Sequence, residues 1–107
     1  MTDSKSQASE LPPELEAVFR LYRKKLPDEA RLLSGIKEHL VAGAQGSRDE
    51  LRSFLHRVAG TAGTYEHFDI SDAAMELKRK VDAGIDATEI LGLVDGLISL
   101  IERDARN

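Results

Sequence analysis

Apolar residues recur along most of this chain at helical spacing. An α-helix turns about 100° per residue, so positions i, i+3, i+4 and i+7 share one face. After Pro12-Pro13, Leu15, Val18, Phe19 and Tyr22 form the first such stripe. Pro27 is expected to restart the chain as a second helix, with Asp28 and Glu29 suited to the positive end of its dipole. The second stripe is Leu33, Ile36 and Leu40, flanked by Leu32 and Val41, and Gly43 and Gly46 end it. The third segment opens with Ser47-Arg48-Asp49-Glu50, which reads as a capping box, and its face is Leu51, Phe54, Leu55, Val58, Ala62 and Tyr65. Asp69 is expected to cap a fourth helix carrying Ile70, Ala73, Ala74, Leu77 and Val81, with Gly84 as its stop. Asp86 or Thr88 caps a fifth, with Ile90, Leu91, Val94, Leu97, Ile98 and Ile101. No stretch alternates with the period of two that marks a strand.

Segments two to five are similar in length and joined by short loops, which favours antiparallel neighbours. The expected fold is therefore all-α: an antiparallel up-down-up-down four-helix bundle with an additional N-terminal helix. Residues 1–11 read as a flexible polar tail and 12–107 as a single helical bundle domain.

Composition narrows the functional classes. The chain has 107 residues, enough for one domain with a modest core. It has no cysteine, which removes disulfides, thiolate metal sites and thiol catalysis. No apolar run suggests a leader peptide or a membrane span, so a cytoplasmic protein without membrane contact is expected. Fifteen basic against nineteen acidic residues, a net charge of −4, argue against a nucleic-acid partner. The one dense basic cluster, Arg20, Arg23, Lys24 and Lys25, reads as a solvated helix face. His39 and His67 read as surface or helix-end residues. No His-x-x-x-His or Glu-x-x-His occurs, so no metal site is expected. No phosphate-cradling glycine loop or nucleotide motif appears, which argues against an independent enzyme.

The third segment carries the anomaly. His56-Arg57-Val58-Ala59-Gly60-Thr61-Ala62-Gly63 places two glycines inside a strongly patterned helix. Each costs about 0.5–1 kcal/mol relative to alanine. Ala59, Gly60 and Gly63 lie three, four and seven residues after His56, on its own face, and Arg52 lies one turn before it. The core stripe centres about 100° away, so the imidazole should stand in solvent beside a smooth shelf where another backbone could come close. An exposed imidazole is mostly neutral at neutral pH and keeps one ring lone pair, as a nucleophile requires. No carboxylate sits one turn away to complete a triad, so a partner must bring the electrophile and any metal. Phosphoryl transfer suits such a site, because its catalysis is mostly positioning and charge neutralisation.

These residues resemble the histidine-containing phosphotransfer (HPt) domain of bacterial multi-step phosphorelays. His56, Gly60, Thr61 and Ala62 match the family's first block, and Ile70, Ala74 and Leu77 fall at the offsets of its second. The resemblance implies that His56 accepts a phosphoryl group from a receiver-domain aspartate and passes it to another receiver. Response-regulator receiver domains and a hybrid sensor histidine kinase are the implied partners. The protein itself would be a monomer without an intrinsic cofactor, Mg2+ being held by the receiver. Three positions depart from the family pattern. Ala59 stands where lysine is common, Lys78 where glutamate or glutamine often bonds the histidine ring, and Glu66 where glycine is common near the helix end. Arg52, Arg57 and Lys78 are then the candidates for neutralising phosphate, and Ala59, Gly60, Thr61 and Gly63 for the docking shelf. The alternative is an interaction module that docks a receiver or kinase without accepting phosphate.

Overall fold

The computed structural model describes residues 12–107; the expected polar tail, 1–11, lies outside them. Four helices follow one another: α1 Pro13–Val41, α2 Ser47–Thr64, α3 Phe68–Asp82 and α4 Ala87–Arg106. No strand occurs among the described residues. α2 packs on α3, α1 on α4, α3 on α4 and α1 on α2, while the diagonal pairs do not approach closely. Side-chain contacts fix two of the directions. Tyr22 reaches Thr61 and His39 reaches Glu50, so α1 and α2 run antiparallel. Gly63 abuts Ser71 and Arg52 reaches Asp82, so α2 and α3 do too.

The expected break at Pro27 does not occur. One helix of 29 residues runs through it, so the two predicted N-terminal helices are one. The physical reason lies in the buried stripe. Tyr22, Leu26, Ala30, Leu33 and Ile36 continue one face across the proline, and all five sit in the core. Burial of that face outweighs the one hydrogen bond that proline cannot donate. The first turns of α1 behave differently: Leu15 and Val18, expected to be core, are 40% and 41% exposed.

Three helices end in the same way. After α1, Gly43 N–H bonds Leu40 O and Ala44 N–H bonds His39 O; after α3, Gly84 N–H bonds Val81 O and Ile85 N–H bonds Lys80 O. Both glycines hold a left-handed backbone, as this double-bonded terminator demands. After α2 the identical pair of bonds is made by Glu66 N–H to Gly63 O and His67 N–H to Ala62 O. There the left-handed residue is Glu66, with φ of +67°. Glu66 thus occupies a position whose backbone favours glycine.

The capping box at Ser47 is not made. The helix begins one residue earlier, on left-handed Gly46, whose carbonyl accepts from Glu50 N–H. Ser47 is buried, and the Glu50 carboxylate instead bonds His39 Nδ1 at 2.8 Å. Asp69 does not cap α3, whose N-cap residue is His67. Asp86 caps α4, its carboxylate accepting from Glu89 N–H at 2.9 Å.

Candidate functional site

His56 sits in the middle of α2 and is exposed. The helix orients it without touching it: Leu55 and Val58, beside it in sequence, are buried in the core and hold α2 in place. Among the described residues the imidazole has no hydrogen-bond or ion-pair partner. Gly60, one turn on, is also exposed, and a methyl group built there would meet nothing within 4 Å. Among the described residues no contact requires a glycine at that position.

The other small residues divide by role. Gly63 faces α3, where an added Cβ would lie 3.2 Å from Ser71 Oγ. It is a close-packing glycine, and Ser71 fastens the same contact by donating to Ala59 O at 2.7 Å. Ala59 is half-buried against the core. Thr61 turns the opposite way, about 140° around the helix from His56. Its hydroxyl donates to Arg57 O at 3.1 Å and lies 3.4 Å from Tyr22 Oη on α1. The shelf beside His56 therefore narrows to Gly60 and the edge of Ala59.

The α3 side of the site is partly apolar. Met75 lies four residues after Ser71 and three before Lys78, on the flank turned toward α2, and Phe68 lies two turns before it on the same side. Both are large apolar residues left exposed, at 57% and 60%. Neither belongs to the buried stripe of α3, so helical spacing alone does not single them out.

The candidate phosphate-neutralising residues are already engaged. Arg52 donates through Nε to Asp82 at 2.6 Å and through one terminal nitrogen to Asp49 at 2.7 Å. Lys78 Nζ donates to the other oxygen of Asp82 at 3.3 Å. Arg52 is one turn before His56, so Asp82 gathers two cations at the edge of the site. The Arg52 hydrogen bond, with help from Lys78, holds the Asp82 carboxyl below the usual carboxylate range, and Asp82 and Asp49 in turn raise Arg52. Arg57 belongs to the opposite flank. It grips Glu29 with two hydrogen bonds of 2.7 and 2.8 Å, and its guanidinium carbon lies 5.4 Å from the Phe54 ring centre.

One group of metal-ligating side chains occurs among the described residues: His67, Asp69 and Asp104, whose ligand atoms lie within 4.8 Å of one another. Arg103 is paired with both carboxylates. A cation of the protein's own thus neutralises the acidic groups, and the cluster ties the start of α3 to the end of α4.

No described helix is long and apolar enough to cross a membrane. No family model, no curated protein and no solved structure matches the chain.

Proposed function

We propose that the protein is a phosphorelay intermediate that carries a phosphoryl group on His56. The observation that carries this reading is an exposed, unpartnered imidazole one turn from a mid-helix glycine that no internal contact explains. A glycine kept at a cost to the helix lets a partner backbone approach the nucleophile. Exposed Met75 and Phe68 would give that partner an apolar footing on α3.

In the proposed step a ring-nitrogen lone pair of His56 attacks the phosphorus of a receiver's aspartyl phosphate. The phosphorus–oxygen bond to the aspartyl carboxylate breaks, and the carboxylate leaves with the electron pair. The other ring nitrogen keeps its proton until solvent takes it. The Mg2+ for this step would be held by the receiver. The phosphorylated histidine would draw Lys78 and Arg52 away from Asp82, since phosphate is the more highly charged anion. Turnover is not expected of the chain by itself; it is a stoichiometric carrier in a bacterial cytoplasmic relay.

The test is incubation with Mg2+ and a phosphorylated receiver, following acid-labile, base-stable phosphate. Wild type is expected to take up label and His56→Gln none. Asp82→Asn, by releasing two cations, should lengthen the life of the phosphorylated form, and Lys78→Ala should shorten it. Docking without label on any cognate receiver would sink the carrier reading and favour a docking module.

A further inference from the structure

The outer face of α1 carries a second repeat, on positions that its own bundle does not use. Val18, Leu21, Lys25, Asp28, Leu32 and Gly35 alternate in steps of three and four, the spacing of a coiled-coil seam. The bundle is already served by another stripe, the one holding Tyr22, Leu26 and Leu33. On the seam, Val18, Leu21 and Leu32 are 41%, 58% and 49% exposed, and Lys25 and Asp28 are exposed as well. Gly35 weakens the helix interior without an internal reason: a Cβ built on it meets nothing within 4 Å.

We propose that two copies of this chain pair their α1 helices antiparallel along this seam as a twofold-symmetric dimer. In that geometry each residue and its opposite number change roles across the axis, so every contact occurs twice. The register that sets Leu21 against Leu32 of the other copy also sets Lys25 against Asp28 and Val18 against Gly35. Apolar meets apolar, cation meets anion, and the glycine makes room for the valine. A slip of one heptad sets Leu21 against Lys25 in one direction and Leu32 against Asp28 in the other. A parallel pair would put Lys25 against Lys25. The charge and size pattern therefore selects one orientation and one register.

Asp28 is also paired with Arg31 within α1, but both side chains are more than 70% exposed and free to exchange partners. The seam borders a groove of about 320 Å³ lined in part by Arg57 and Thr61, on the α1 side of α2. His56 lies about 140° around α2 from Thr61. Both histidines of the dimer thus stay open, and the proposal stands whether or not His56 carries phosphate.

Sedimentation equilibrium of the full chain from micromolar to millimolar concentration is the test. The expected result is a mass rising to twice that of one chain. Lys25→Asp should weaken the dimer by about tenfold or more, equivalent to about 1.4 kcal/mol, and the double reversal Lys25→Asp/Asp28→Lys should restore it. Circular dichroism checks that these surface variants stay folded. For the register, Leu21→Cys and Leu32→Cys variants are mixed and oxidised, and the mixed disulfide should dominate. A single-chain mass throughout, no recovery in the double reversal, or a dominant disulfide between two Leu21→Cys chains would each overturn the proposal.

Discussion

Glu66 shows what one residue costs when it stands in a backbone made for another. Its φ of +67° places Cβ against the following carbonyl, a clash that glycine avoids. The matching terminators of α1 and α3 both use glycine, at Gly43 and Gly84. Glu66→Gly is therefore expected to stabilise the fold by about 0.5–1 kcal/mol, after allowance for the looser unfolded chain. Glu66→Ala keeps the clash and should bring no such gain. Urea denaturation of the two variants side by side decides it. The strain sits at the end of α2, ten residues from His56 and clear of the exposed helix face on which that histidine lies.

At the scale of the element, α1 and α2 each carry a residue that their local pattern argues against. Pro27 was expected to divide the first helix, because a proline inside a helix forfeits a hydrogen bond and crowds the preceding turn. The buried face of α1, running from Tyr22 to Ile36, has the same phase on both sides of it and holds the helix in one piece. In α2 two glycines that look alike in sequence differ in space. Gly60 faces solvent and Gly63 faces Ser71. Gly60→Ala should stabilise α2 by about 0.5–1 kcal/mol. Gly63→Ala should gain less or lose, because Ser71 Oγ is held by its bond to Ala59 O. If Gly60 serves docking, Gly60→Ala will also slow phosphoryl transfer from a receiver while stabilising the fold. Denaturation midpoints and transfer rates measured on the same preparations read both effects.

At the scale of the molecule, the cluster of His67, Asp69, Arg103 and Asp104 ties α3 to α4. Asp104 is buried, with His67 Nδ1 donating to it at 3.0 Å and Arg103 paired beside it. Burial pushes its carboxyl up, but the hydrogen bonds from His67 and Arg103 outweigh that, and the net shift is downward. A carboxyl lowered by folding contributes stability that is present above its unfolded value, about 3.9, and is lost as pH falls through its folded value. Wild type should therefore lose part of its stability below about pH 4. Asp104→Asn should cost about 1–3 kcal/mol at neutral pH and flatten that acid limb. Thermal melts between neutral and acid pH would show both; an unchanged acid limb would mean that other carboxylates carry it.

The repeating stripes from Leu51 to Ile101 determined by themselves that this part of the chain is helical and which face of each helix turns inward. Periodicity records the burial of a face, and every buried apolar residue of α2, α3 and α4 lies on a stripe visible in the sequence. The exposure of His56 was legible for the complementary reason: it lies off that stripe. Tertiary structure alone decided what depends on contact between elements. It joined the two predicted N-terminal helices across Pro27, since only the neighbouring helices continue that buried face. It assigned Gly63 to packing and Gly60 to the surface, and turned Thr61 and Arg57 toward α1. It also bound Arg52 and Lys78 to Asp82, a residue 30 positions from Arg52 in the chain. Spacing along one helix reports a face; which partner meets that face is set by how the helices pack.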